Sequence, residues 1–178
     1  APHVAGVAAL MKEAKTDWSA WQIKSAMMNT SVDLADPVSA QVPRQGAGRV
    51  DALEAIKTNV VAYGDPKLIS LSWGVIEISD DFEDTQMITV QNLNDHPVNL
   101  DIDSFFTSDD IGATISTAFK KVILPPHSMS QVEVTLSLDA SMLPIGFGDM
   151  EEYYGYVTFE DKDDHHLRVP FYFVPRPY

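Results

Sequence analysis

The chain of 178 residues contains no cysteine, which excludes disulfide bonds, thiolate metal sites and a cysteine nucleophile. Basic residues are few: 12 lysines and arginines stand against 26 aspartates and glutamates, for a formal net charge of −14. A negative field of that size repels phosphate backbones, so we expect no nucleic-acid partner. Long apolar runs are also missing, since the longest, Val4–Met11, falls well short of the ~18 residues of a membrane-spanning helix. We therefore expect no membrane insertion.

The acidic residues are distributed unevenly, which divides the chain near residue 58. Residues 1–58 carry equal numbers of acidic and basic side chains, so the whole net charge belongs to residues 59–178. The hydrophobic fraction of 45% is that of a folded protein rather than a disordered one. We predict two units that meet between residues 58 and 59.

The first unit, residues 1–58, is patterned as helices. Pro2 suits a first helical turn, and the run Val4–Met11 is apolar on every side, which is typical of a helix buried all round. Ser19 and Gln22 form a capping box that opens a second helix. A further capping pattern at Asp51 opens a short one. Prolines and glycines between these helices indicate a loop, at Pro37, Pro43, Gly46 and Gly48.

The second unit, residues 59–178, is patterned as short strands separated by turn signals. Val98–Asp103 and Val132–Asp139 alternate strictly between apolar and polar residues. Further strand segments are residues 67–79, 87–93, 154–159 and 167–174. Seven or eight strands of this kind indicate an antiparallel β-sandwich. The predicted fold class is therefore α+β overall, with helices first and an all-β sandwich after them.

The first residues carry a specific motif. Ala1-Pro2-His3-Val4-Ala5-Gly6 resembles the segment that follows the catalytic serine in subtilisin-like serine proteases, whose pattern is Gly-Thr-Ser-Met-Ala-x-Pro-His-Val-Ala-Gly. The segment 45–52 resembles the end of the family's catalytic domain. Residues 1–58 are thus similar to the C-terminal helices of a subtilisin-like α/β domain. Residues 59–178 resemble the fibronectin-III-like sandwich that follows this domain in large extracellular and cell-envelope subtilases.

The resemblance implies where the chemistry lies. The family's nucleophilic serine would stand three residues before Ala1, with the catalytic Asp and His and the oxyanion-hole Asn further upstream. Within these residues we therefore assign no catalytic, cofactor-binding or metal-ligating residue. We expect an inactive C-terminal part of a serine endopeptidase, extracellular or in the cell envelope, with a structural and substrate-positioning role. No cofactor is expected, and calcium is considered for the parent protein only.

The same resemblance implies the partners. They are the remainder of the catalytic domain and the protein or peptide substrates of the parent. An apolar helix that lacks its covering domain promotes association, so self-association through Val4–Met11 is also expected. An alternative hypothesis is a non-catalytic binding or adhesion module built on the sandwich, with the helices as a docking element. A third is the degenerate remnant of a protease.

Several residues invite a catalytic or metal assignment, but a structural interpretation is favoured for each. His3 follows the serine in the family pattern, so we expect it to hydrogen-bond within the catalytic-domain core. Ser19, Ser25 and Ser31 are interpreted as helix residues, with Ser19 as the cap. The pair His165-His166, next to Asp163-Asp164, is interpreted as a polar turn rather than a metal site, because adjacent strand residues point to opposite faces.

Acidic and aromatic clusters are likewise interpreted as structural rather than as binding sites. The acidic residues Asp80, Asp81, Glu83 and Asp84 are interpreted as a solvated loop, although calcium favours such oxygens. So are Asp109-Asp110 and Glu151-Glu152. A set of aromatic residues is assigned to packing rather than to a carbohydrate or peptide groove: Trp73, Phe82, Phe105, Phe106, Tyr153, Tyr154 and Tyr156. Phe147, between two glycines, is the candidate for an exposed contact.

Overall fold

The structure is a computed structural model that describes residues 1–36, 40–66, 68–144, 151–162 and 165–177. Helices come first and strands follow. The helices are α1 (Pro2–Ala14), α2 (Ala20–Asn29), α3 (Val42–Gln45) and α4 (Ala52–Lys57). The strands are β1 (Val60–Tyr63), β2 (Leu71–Ile78), β3 (Phe82–Asn92), β4 (Val98–Phe106), β5 (Ala113–Thr117), β6 (Lys121–Leu124), β7 (Met129–Leu138), β8 (Tyr153–Glu160) and β9 (His166–Pro177). The described chain is therefore mostly β-sheet, with few helices.

The predicted helix starts are found at their residues. The Ser19 hydroxyl accepts a hydrogen bond from the Gln22 amide at 3.3 Å, and Gln22 Oε1 accepts one from the Ser19 amide at 2.8 Å, which completes the capping box. The Asp51 carboxylate accepts from two amides of the first turn of α4. Such caps satisfy N–H groups that have no partner inside the helix.

The expected loop before α4 is not wholly irregular. Residues 42–45 form the single-turn helix α3, because Pro43 fits the first helical turn and Gly46 ends it at a φ of 63°. The prediction of a continuous loop there was therefore wrong. Pro37 lies outside the described residues.

Two sheets enclose the larger core. Their strand orders are β1-β3-β7-β5 and β2-β9-β8-β4-β6. Side chains from both sheets meet in one buried cluster, which includes Ile88, Leu136, Phe159 and Phe171. The pairs are antiparallel, as predicted, except that β2 and β9 are parallel. This corrects the expectation of a wholly antiparallel sandwich: β2 and β9 are far apart in the chain, so the intervening strands supply the crossover that a parallel pair requires.

Strand β3 begins earlier than its alternation predicts. It starts at Phe82, so Glu83 and Asp84 belong to a strand and not to a solvated loop. Phe82 pairs with Leu138 of β7, and Trp73 Nε1 donates a hydrogen bond to Asp84 Oδ2 at 2.9 Å. The pairing with β7 and this hydrogen bond from β2 of the other sheet hold the acidic residues in a strand in spite of their low strand propensity.

The short strand β1 joins the helices to the sheets. Val60 and Ala62 point into the core between the sheets, whereas Val61 and Tyr63 point to the helices. The Trp21 ring of α2 meets the Tyr63 ring edge to face, with centroids 4.5 Å apart. The helices therefore cover the outer face of β1 and form a second, smaller core there.

Candidate functional site

Helix α1 carries the motif that the sequence relates to a catalytic serine. It begins at Pro2, and no side chain caps its N-terminus. The first amides of such a helix lack internal partners and carry the positive end of the helix dipole. His3 lies exposed on the first turn. Its expected hydrogen bond within a catalytic-domain core stays a prediction, because that core is not part of these residues.

The surface of α1 departs from its expected burial. Met11 is fully buried against α2 and α4, but Val4 and Leu10 are 52% and 50% exposed. A helix that is apolar all round was expected to be buried all round. In the described chain it is covered on one side only, because α2 and α4 pack against that side alone.

An apolar groove of about 430 Å³ runs beside α1. Val4 and Ala8 of α1 line it, together with Ile23 and Met27 of α2. The segment before α4 completes the lining with Ala47, Gly48 and Val50. At Gly6 of α1 an added Cβ would meet no atom within 4 Å, so this part of the helix surface is open.

A polar cluster ties the segment before α4 to the sheets. Arg168 of β9 places Nη1 2.8 Å from Asp33 Oδ1, and its Nη2 donates to the Ala47 carbonyl at 2.6 Å. The guanidinium lies over the Tyr156 ring, 4.5 Å from its centroid. Gln45 donates to Asp33 Oδ1 at 2.8 Å and to the Tyr156 hydroxyl at 3.2 Å. We call Asp33, Gln45, Ala47, Tyr156 and Arg168 the Arg168 cluster.

Burial has an electrostatic consequence in this cluster. Burial raises the pKa of the Tyr156 hydroxyl, and the neighbouring Arg168 charge opposes that rise. On the same strand, burial together with the nearby carboxylates raises the pKa of Tyr153 to about 12. Both phenols therefore stay neutral at physiological pH and serve as hydrogen-bonding groups.

Asn29, at the end of α2, makes a second connection between the helices and the sheets. Its amide nitrogen donates to the carbonyls of Ala62 at 2.9 Å and Arg168 at 3.1 Å. Its oxygen accepts from the Ala62 amide at 2.8 Å. Because β1 is an edge strand, Asn29 satisfies the backbone groups that face away from the sheet.

A larger cleft of about 790 Å³ lies between the end of α2, α4 and the outer face of the second sheet. His165 and His166 line it, and each lies next to a different carboxylate. His165 Nδ1 is 2.7 Å from Asp161 Oδ2, and His166 Nδ1 is 3.7 Å from Glu160 Oε1. Asp163 and Asp164 of the same predicted cluster lie outside the described residues. In the part of the chain that the structure describes, no three His, Asp or Glu side chains converge as a metal ion requires.

The remaining serine and aromatic candidates from the sequence make hydrogen bonds to the backbone or pack in the structure. Ser25 donates to the Trp21 carbonyl, and the Ser31 hydroxyl, a single donor, lies within hydrogen-bond distance of the carbonyls of Met28 and Ala47. Tyr153, Tyr154 and Tyr156 are buried, whereas Phe105 is 43% exposed. Phe147 lies outside the described residues.

The sequence reasoning missed the residues that join the two parts. Arg168 offered one signal, because it is a charged residue next to the apolar run of β9. Asn29 offered none, since an asparagine at a helix end is ordinary. Over the residues described, no helix has the length and apolar character to cross a membrane.

Comparison with known proteins relates the first residues to a family. Residues 1–48 match the Peptidase_S8 model, the subtilase family. The minor extracellular protease Vpr of Bacillus subtilis (strain 168) is 30% identical over 151 residues, which are 82% of this chain and 18% of that relative. Subtilisin-like protease SBT2.5 of Arabidopsis thaliana is 28% identical over 165 residues, 81% of this chain and 19% of that relative. The resemblance of the first residues to subtilisin-like proteases is thus confirmed, whereas the fibronectin-III-like identity of residues 59–178 stays a prediction.

The chain spans about a fifth of the length of these two curated relatives. Among solved structures the likeness is distant. The ASH / PapD-like domain 7 of human CEP192 is 15% identical, with a TM-score of 0.44, over 68% of this chain and 87% of that chain.

Proposed function

We propose that this chain forms the last helices of the catalytic domain and an accessory fibronectin-III-like sandwich of an extracellular subtilisin-like serine endopeptidase. One observation carries the proposal: the alignment with the minor extracellular protease covers 82% of the chain, so it extends from the family-matched helices well into the strands. The word "extracellular" in that relative's name supports a secreted parent. In this proposal the catalytic-domain helices end near residue 58, and the sandwich begins at residue 59.

The proposed reaction is serine-dependent acyl transfer by the whole protein. The serine three residues before Ala1 would attack a peptide carbonyl, with the base and orienting acid supplied upstream. The role of this chain is to support that site. Helix α1 extends from it, α2 and α4 hold α1 through Met11, and the sheets hold α2 through β1. The 178 residues alone are proposed to be inactive.

The proposed partner of α1 is the upstream part of the catalytic domain. Half-exposed Val4 and Leu10, and the groove that Val4 lines, are apolar surface that such a domain would cover. Without it, the isolated chain is proposed to self-associate through Val4–Met11. Substrates of the parent are proposed to be proteins or peptides, which the sandwich helps to position.

Active-site labelling tests the proposal. The full-length protein is treated with a fluorophosphonate, which reacts with activated serines, and the labelled residue is located by peptide mass spectrometry. We expect labelling at the serine three residues before Ala1, its loss when that serine is replaced by alanine, and neither label nor peptide hydrolysis for residues 1–178 alone.

Other outcomes discriminate between the hypotheses. Label or robust hydrolysis in residues 1–178 would contradict the proposed inactivity. A full-length protein without label, combined with ligand binding by the chain, would favour the binding-module alternative.

A further inference from the structure

Arg168 stands out because this one side chain of β9 contacts two positions of the helical part, Asp33 and Ala47, and the Tyr156 ring of the neighbouring strand β8. Its guanidinium pairs with Asp33, donates to the Ala47 carbonyl and lies over Tyr156. The Arg168 side chain is only 16% exposed, whereas the carboxylate of its partner Asp33 is 54% exposed. A planar guanidinium fits several acceptors and an aromatic face at once, which a lysine cannot do.

The segment 45–49, to which Arg168 donates at Ala47, is also held by backbone hydrogen bonds. Val32 and Arg49 exchange backbone hydrogen bonds at 2.9 and 2.7 Å. Gly48, at a φ of 121°, leaves no room for a side chain, because an added Cβ would lie 2.5 Å from Arg168 Nη2. The segment 45–49 is therefore held between the Val32 backbone and the Arg168 side chain.

This segment lines the apolar groove beside α1. Ala47 and Gly48 belong to its lining together with Val4 and Ala8. Ala47 is itself buried, so a shift of its backbone changes the shape of that lining. The chain of contacts runs from β9 through Arg168 and Ala47 to the groove beside the first turns of α1.

We propose that Arg168 is a positioning residue for the peptidase reaction: through Ala47 and the segment 45–49 it fixes one side of the groove beside α1, against which the upstream part of the catalytic domain would pack, and so the placement of that part relative to the serine that precedes α1. The inference rests on the proposed function. Arg168 itself touches no substrate. A displacement of the order of an ångström at a reacting group lowers the rate by as much as ~100-fold, which makes a remote support of this kind measurable.

Hydrogen exchange on the 178-residue chain tests the structural half. In Arg168→Gln we expect the amides of Val32 and Arg49 to exchange about tenfold faster or more, while amides of β3 and β7 keep their rates. Arg176→Gln is the matched control, because Arg176 lies on the same strand and pairs with Glu77 where both side chains are more than half exposed. Unchanged exchange at Val32 and Arg49 in Arg168→Gln overturns the inference.

Kinetics of the full-length protein test the functional half. For Arg168→Gln we expect kcat to fall by about 10- to 100-fold per labelled serine, with KM nearly unchanged. Arg168→Lys is expected to recover part of kcat through its charge, and Arg176→Gln to match the unmodified protein.

The outcomes separate the inference from the function on which it rests. If the Arg168→Gln protein is labelled and keeps its kcat per labelled serine, the inference is overturned and the proposed function stands. If total activity falls only in proportion to the fraction of labelled protein, the role of Arg168 is purely structural and the inference is also overturned. Absence of label in the unmodified protein overturns the proposed function itself.

Discussion

Replacing Phe171 by alanine is expected to lower the free energy of unfolding of the 178-residue chain by about 3–5 kcal/mol. Phe171 is fully buried between the two sheets, and its ring meets that of Phe106 edge to face at 5.2 Å. Gly155 makes room for it, because a Cβ there would lie 2.7 Å from the Phe171 ring. The other side chains are held by their strands and cannot fill the space that the ring leaves.

The effect is large against a typical total stability of about 5–15 kcal/mol. Urea unfolding followed by circular dichroism measures it. Phe119→Ala is the matched control, since Phe119 is 42% exposed and its loss is expected to cost less than about 1 kcal/mol. Equal losses for the two variants would show that Phe171 is not in the core described here.

Asn29→Ala is expected to cost about 2–4 kcal/mol, because it leaves the buried amide and carbonyl of Ala62 without their partner. Asn29 is 1% exposed, so water cannot replace its amide without opening the contact between α2 and β1. We expect the helices to detach before the sheets unfold, which would appear as a first, separate transition in the fluorescence of Trp21.

Asn99→Ala provides the control for this prediction. Asn99 is exposed on β4 and its replacement is expected to change stability by less than about 0.5 kcal/mol. If Asn29→Ala were equally mild, the amide of Asn29 would not be the tie between α2 and β1 that its distances indicate.

Local patterns in the sequence predicted much of this fold for a physical reason. The capping box at Ser19 and the alternation in β4 and β7 depend on neighbours within a few residues. Alternation reports which face of a strand is apolar. It does not report which strand lies beside it, so the parallel pairing of β2 with β9 could not be predicted.

The same limit explains what was missed at the candidate site. β1 is apolar on both faces, and only the folded chain shows that one face meets the sheets and the other the helices. Arg168 contacts residues 135 and 121 positions away, at Asp33 and Ala47. Contacts at such separation leave no local periodicity. The family motif at Pro2-His3, by contrast, is contiguous and could be recognised directly.

Gly6→Ala tests the central claim, that α1 is seated in a subtilase catalytic domain whose other part covers it. In residues 1–178 nothing lies near the added Cβ, so the better helix former should raise the free energy of unfolding by about 0.5–1 kcal/mol. In the full-length protein, a close-packed domain over α1 would clash with the same methyl group. We therefore predict opposite signs: a more stable chain, but a full-length protein with a lower melting temperature and less labelled serine. Equal stabilisation in both would contradict the claim, because it would leave this face of α1 open in the whole protein.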